Sequence, residues 1–177
     1  MNLYLTGFMG TGKSHIMKIL ARKLDMEGVD FDDYIVETTH KTIPQIFSEK
    51  GEAAFRQIET ETLIAFSQKT NYICSCGGGI VLSAKNRQIM KETGCVILLT
   101  ADPKTIYRRT QNDQNRPLLA KNIENIKKMM DKRQKHYEQV AEIIVSTDNR
   151  SLNNISDEII KEIREIKEIK EVSKDHV

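Results

Sequence analysis

Apolar positions in the chain follow two periods that take turns. Short apolar runs occur at Asn2 to Thr6, Val29 to Phe31, Tyr72 to Cys76, Cys95 to Thr100 and Ile143 to Ser146. They read as strands, and Cys95-Val-Ile-Leu-Leu-Thr100 is continuous enough to be buried on both faces of a sheet. Between them the spacing changes to three and four. Lys13 to Leu24 carries Ile16, Met17, Ile19, Leu20 and Leu24, and a later stretch from Ala53 to Lys69 carries Phe55, Ile58, Leu63 and Phe66. These read as helices, joined by others at Pro44 to Lys50, Ala84 to Glu92 and from the Asp102-Pro103 start. Gly51 is expected to break the helix between Lys50 and Ala53. A long helix ends near Val140, and Ile155, Ile159, Ile163 and Ile166 repeat along a charged amphipathic helix over residues 151–177.

Strands that alternate with helices call for parallel pairing through right-handed crossovers, with helices covering both sheet faces. The expectation is a doubly wound α/β fold. The chain's 177 residues suit one domain, 1–177, with no internal repeat or dividing linker. Lys and Arg number 27 against 25 Asp and Glu, a formal charge of +2. That balance argues against a nucleic-acid or anionic-membrane partner, so any anion must be met by local charge. No run approaches the roughly 18 apolar residues of a membrane span. Three cysteines, Cys74, Cys76 and Cys95, cannot all pair, and the expected setting is a reducing cytoplasm.

Chemistry enters with Gly7-Phe-Met-Gly-Thr-Gly12-Lys13-Ser14, which fits G-x-x-x-x-G-K-[ST] directly between a strand and a helix. Glycines let backbone N–H groups converge on phosphate oxygens, and the helix start adds partial positive charge. Gly10, Thr11 and Gly12 line the cradle, Lys13 faces the β/γ-phosphates, and Ser14 offers a hydroxyl to Mg²⁺. His15, next in the first turn, is counted with the phosphate-binding stretch although its side chain reads as a surface group. Asp30, Asp32 and Asp33 follow the second strand, where open α/β sheets bind ligands. Strand alternation would point Asp30 and Asp32 the same way, one toward metal-bound water and the other toward an acceptor hydroxyl. An ordinary helix cap with solvated acids is the rival reading. These residues leave the acceptor open, and a regulatory nucleotide-binding module without chemistry also fits them.

Further motifs narrow the choice. Asp30-Phe-Asp32-Asp-Tyr-Ile35, then Gly51-Glu-Ala-Ala-Phe55-Arg56-Gln-Ile58-Glu59, Gly77-Gly78-Gly79, Arg116-Pro-Leu-Leu119, and Lys132-Arg133 with Tyr137 follow in order. Over residues 2 to about 150 the chain resembles the shikimate kinases. The resemblance implies a three-layer α/β/α P-loop fold with a five-stranded parallel sheet in the order 2-3-1-4-5. It implies a substrate-binding region at about 32–60 and a mobile lid at about 111–122. The implied partners are ATP, with one Mg²⁺ ion, and shikimate, whose 3-hydroxyl receives the phosphoryl group; a monomer is expected. A kinase for gluconate is the nearest rival.

Roles carried over by the resemblance fall on particular residues. Asp32 contacts the ring hydroxyls as base or orienter, and Asp30 sits near the Mg²⁺ shell, acting through water. Arg56 and Arg133 hold the substrate carboxylate, and Gly78 and Gly79 lie against the substrate. Arg116 approaches the transferring phosphate. Arg108, Arg109 and Arg150 fall where the family lines the adenine. The sequence has no Walker B aspartate after an apolar run, and Ser75 is the nearest counterpart for reaching metal-bound water. Cys74 and Cys76 should share one strand face, with a thiol near the site open to oxidation; as a metal site the pair lacks two further ligands.

Overall fold

The second to sixth residues form β1 (Asn2–Thr6), and all five are buried. Such burial on both faces belongs to an interior parallel strand. In the computed structural model, which describes residues 1–111 and 122–172, β1 is the middle of a five-stranded sheet. The other strands are β2 (Glu27–Asp30), β3 (Tyr72–Ser75), β4 (Gly94–Thr100) and β5 (Ile143–Ser146), in the order β2-β3-β1-β4-β5. Every neighbouring pair is parallel. The helices are α1 (Lys13–Leu24), α2 (Phe31–Thr39), α3 (Ile43–Ser67), α4 (Ala84–Thr93), α5 (Pro103–Thr110), α6 (Ile123–Val140) and α7 (Leu152–Val172). The layering and strand order are those expected from the sequence. Residues 112–121 lie outside the described residues, and with them most of the expected lid, including Arg116.

Period-two alternation distributes the strand side chains between two apolar layers. Leu3, Leu5, Cys95, Ile97, Leu99, Ile143 and Val145 pack against Ile16, Met17 and Leu20 of α1 and Ile155, Ile159 and Ile163 of α7. Tyr4, Cys74, Cys76, Val96 and Leu98 face the other way, onto Leu63 and Phe66 of α3, Met90 of α4 and Tyr137 and Val140 of α6. The isoleucine repeat after residue 151 is therefore core and not a spare surface. Among the described residues, no helix is long and apolar enough to cross a membrane.

Two boundaries differ from the expected ones for identifiable reasons. β2 stops at Asp30, one residue short, because the Asp30 side chain accepts the Asp32 N–H at 3.0 Å and caps α2, leaving Phe31 as the first helical residue. Asp32 therefore stands in the first turn of a helix, and strand alternation does not set its direction. In α3 the expected break is present as a kink, with Gly51 at φ 79 and ψ 170 between two helical segments. The capping box of Thr42 and Gln45 and a proline in the first turn start the first segment.

Asn2 stitches the sheet at the amino-terminal end of its middle strand. Its side chain is fully buried, donates to the carbonyls of Phe66 (3.0 Å) and Lys69 (2.9 Å), and accepts the Tyr72 N–H (3.0 Å). One amide thus satisfies the end of α3 and the start of β3. Asn2→Ala removes all three hydrogen bonds, leaving the Phe66 carbonyl only its backbone donors, and should lower unfolding free energy by roughly 1–3 kcal/mol. Urea denaturation followed by circular dichroism measures it.

Candidate active site

β1 hands the chain to α1 through the glycine-rich loop, at the point where the next strands depart to opposite sides, β2 to one and β4 to the other. Crevices of open α/β sheets form at such a reversal. Gly7 has φ 135, and a Cβ there would stand 2.3 Å from the Leu99 carbonyl oxygen, so only glycine lets the loop lie against β4. Gly12 caps α1 in the left-handed region, and the first turn of α1 carries no acidic residue to offset its partial positive charge. The Lys13 ammonium arches back over the loop and donates to the carbonyls of Gly7 (2.9 Å) and Phe8 (3.0 Å). Thr11 is buried, with its hydroxyl on the Phe8 carbonyl at 2.8 Å, while His15 is exposed as expected.

Beside this cradle the Asp30 carboxylate does two jobs. One oxygen caps α2; the other accepts the hydroxyls of Ser14 (2.5 Å) and Ser75 (2.8 Å). One side chain thus caps α2 and also gathers the two hydroxyls beside the cradle. Two hydroxyls and a carboxylate at the phosphate cradle are the hard oxygen donors that suit Mg²⁺. Among the described residues no cluster of three His, Cys, Asp or Glu side chains could hold a metal. An ion held there would lean on phosphate oxygens and water, as Mg²⁺ commonly does.

The loop after β3 builds the acceptor side. The Gly78 carbonyl accepts from Arg133 (3.2 Å) and from the Tyr137 hydroxyl (2.5 Å), which pins the glycines to α6. Gly77 lies against two carboxylates: a Cβ there would be 2.5 Å from Glu59 Oε1 and 3.2 Å from Asp32 Oδ1. At Gly79 it would meet the Arg56 guanidinium at 2.3–2.5 Å, so this position must stay bare for the arginine to lie where it does. Arg56 donates to Glu59 (2.9 Å) and to Glu52 through two nitrogens, at 3.3 and 3.2 Å. Asp32, Arg56, Arg133, Gly78 and Gly79, far apart in sequence, are therefore together.

Glu59 and Tyr137 carry this arrangement, yet neither receives a role from the sequence. Burial pushes the Glu59 carboxyl up to about 7, with Arg56 opposing and nearby Asp32 reinforcing the shift. Burial likewise pushes the Tyr137 phenol up to about 12. A signal for Glu59 was present. It stands four residues from Phe55 and four from Leu63, so it occupies the apolar stripe of α3, where Phe55, Glu59, Thr62, Leu63 and Phe66 are buried. A carboxylate in a core register is an informative exception.

On the other flank, Arg109 spans Gly10 and β5, donating to the Gly10 carbonyl (3.1 Å) and to the Thr147 hydroxyl and carbonyl (3.0 and 2.9 Å). Arg108 is exposed in the last turn of α5. Arg150 reaches the Ser146 carbonyl and pairs with Glu158 of α7. The oxidation-sensitive thiol is corrected. Cys74 and Cys76 do share one strand face, but both are buried in the core, and burial pushes Cys74 up to about 12 and Cys76 well above its usual range. Such thiols stay protonated and unreactive.

A phosphate cradle with Lys13 and Ser14, facing a carboxylate and paired guanidiniums across the strand ends, defines a P-loop small-molecule kinase. The family model for shikimate kinase matches residues 9–164. The chain belongs to the shikimate kinase family. Its relatives include shikimate kinases of Persephonella marina, 43% identical over 92% of this chain and 98% of that protein, and of Bacillus mycoides, 40% identical over 92% and 98%. Among solved structures, a shikimate kinase from Acinetobacter baumannii in complex with shikimate superposes with a TM-score of 0.89 at 33% identity, covering 94% of each chain. A gluconokinase from Sinorhizobium meliloti reaches 0.68 at 10% identity over 97% of this chain and 96% of that one, a likeness of fold alone.

The raised Glu59 carboxyl makes stability depend on pH. Its folded value of about 7 lies above the ordinary 4.5, so its contribution is complete below about 4.5 and is lost as pH rises toward 7. Glu59→Gln removes that loss. Between pH 4.5 and 7.5 the stability of the variant should gain on the original chain by roughly 1–3 kcal/mol, read by urea unfolding of both at each pH.

Proposed function

We propose that this chain transfers the γ-phosphoryl group of ATP to the 3-hydroxyl of shikimate, giving ADP and shikimate 3-phosphate on the route to chorismate and the aromatic amino acids. The observation that carries the reading is the convergence of Arg56, Arg133 and Asp32 on the Gly77–Gly79 loop, across from the phosphate cradle. Two guanidiniums and a carboxylate match an acceptor with one carboxylate and several hydroxyls. The planar forks of Arg56 and Arg133 bind a carboxylate through parallel hydrogen bonds and so fix ring orientation. Asp32 then takes the proton of the attacking hydroxyl or orients it.

Phosphoryl transfer needs in-line placement and positive charge on the equatorial oxygens. Lys13 moves from its loop carbonyls onto the β/γ-phosphates, and the start of α1 adds backbone N–H groups. When bound, Mg²⁺ would neutralise charge on the phosphates. Ser14 holds its site together with Asp30, acting through water, and Ser75 supports that carboxylate. Gly10, Thr11, Gly12 and His15 complete the cradle, Arg116 is assigned to the transferring phosphate, and Arg108, Arg109 and Arg150 to the adenine side. Substrate binding is assigned to about residues 32–60 and the lid to about 111–122, most of it outside the described residues, within a single 1–177 domain whose charged C-terminal helix is described over Leu152–Val172. The working unit is a cytoplasmic monomer, since one chain supplies all of these groups.

ADP release coupled to a spectrophotometric readout, with shikimate, quinate and gluconate as separate acceptors and Mg²⁺ present, tests the reading. Shikimate should stimulate turnover and gluconate should not; a folded protein indifferent to shikimate would sink it. Asp32→Asn should lower kcat by roughly 10²- to 10⁴-fold, while ATP affinity, measured by titration of the same variant, stays within about twofold because Asp32 lies on the acceptor side.

A further inference from the structure

The mechanism above gives Glu59 nothing to do. Its side chain is 1% exposed; Oε2 accepts from Arg56 at 2.9 Å, and Oε1 is buried with no hydrogen-bond partner among the described residues. Charged and titratable groups face it from each neighbouring element: Arg56, backed by Glu52, on α3; Asp32 on α2; Arg133 and Tyr137 on α6; and Cys76 after β3. Tyr137 and Cys76 are both shifted toward their neutral forms. The balance is therefore two guanidiniums against Glu59, Asp32 and the exposed Glu52.

On the reading that Arg56 holds the substrate carboxylate, binding brings one more negative charge to a guanidinium already shared by two carboxylates. Like charges in a water-poor site cannot all stay ionised at low cost. Asp32 is half-buried and serves the reacting hydroxyl, whereas Glu59 is enclosed and has an oxygen with no donor. We propose that Glu59 takes up a proton from solvent as the substrate carboxylate docks on Arg56, so that substrate binding and protonation of this buried positioning residue are one coupled event. The proton comes from water or buffer and settles on the carboxyl group. No bond of the substrate changes, and the charge brought in by the ligand is cancelled inside the protein. The carboxyl, already raised to about 7, is close to the point where a modest further push protonates it at neutral pH.

Isothermal titration of shikimate into the full chain at pH 7, without nucleotide, in buffers of low and high ionisation enthalpy reads the proton directly. The substrate carboxylate stays ionised throughout this range. The apparent enthalpy should rise in proportion to the buffer's ionisation enthalpy, with a slope of some tenths of a proton taken up. Glu59→Gln, shaped like the protonated acid, should still bind but with no slope. Saturable binding with zero slope in the original chain, or an unchanged slope in the variant, overturns the proposal. Should the variant not fold, affinity of the original chain from pH 6 to 8.5 decides. Weakening of roughly five- to tenfold, which corresponds to an upward shift of about one unit on binding, supports it, and a flat profile overturns it. Absence of any saturable shikimate binding is a different outcome: it defeats the parent reading and this inference with it.

Discussion

The carboxylate of Asp30 is held by groups that the chain brings from three places: the Asp32 N–H at the start of α2, the Ser14 hydroxyl in the first turn of α1 and the Ser75 hydroxyl at the end of β3. Because each donor belongs to a different element, their mutual distances are fixed by one acceptor. That contact sets where α2 begins, hence where Asp32 points, and it holds the start of α1 against β3. The glycines after Ser75 inherit their position from the same anchor, and Arg56 and Arg133 close on those glycines in turn. A site assembled this way is rigid where the phosphate and the acceptor must meet, which is what in-line transfer requires.

The second constraint is electrostatic. A formal charge of +2 over 177 residues says little about a crevice, because Lys13, Arg56, Arg109 and Arg133 are gathered from distant parts of the sequence while each is held in place by an oxygen partner. Two kinds of partner occur. Lys13, Arg109 and Arg133 donate to backbone carbonyls or a hydroxyl, which orient them. Arg56 donates to two carboxylates, one of them buried. Burying that acid is expensive, and its raised proton affinity is the visible sign of the expense. The protein tolerates it because the guanidinium is thereby set against Gly79.

The cradle and the helix and strand stripes were legible because each depends on near neighbours in sequence: a period of two or of 3.6, a glycine pattern, a proline or an acid at a helix start; the strand order β2-β3-β1-β4-β5 followed from the family resemblance alone. The site residues Arg56 and Arg133 could be named through family resemblance, but their meeting on the Gly77–Gly79 loop depends on α3 and α6 packing on one sheet face, which no local pattern encodes. Asn2 and Glu59 were missed for a related reason. Asn2 draws its value from partners more than sixty residues away, and Glu59, although it closes a quoted motif, draws its from burial against Gly77, Asp32 and α6, which no motif position reveals. Strand alternation is not what directs Asp32, because a single side-chain cap ends β2 at Asp30, yet from the first turn of α2 it still lies beside Gly77.

Gly7 bears on Leu99, and that contact has a consequence for the order in which the molecule is made. β1 is synthesised before both of its sheet neighbours, β3 and β4, and the loop that follows β1 takes its shape by lying against the last part of β4. A nascent chain holding only the first helix and strand has the full phosphate-binding signature but not the wall that shapes it. Pairings so distant in sequence form slowly and only after the intervening segment is available. Until β4 has left the ribosome, the growing polypeptide carries a nucleotide-site sequence without the wall that shapes the site.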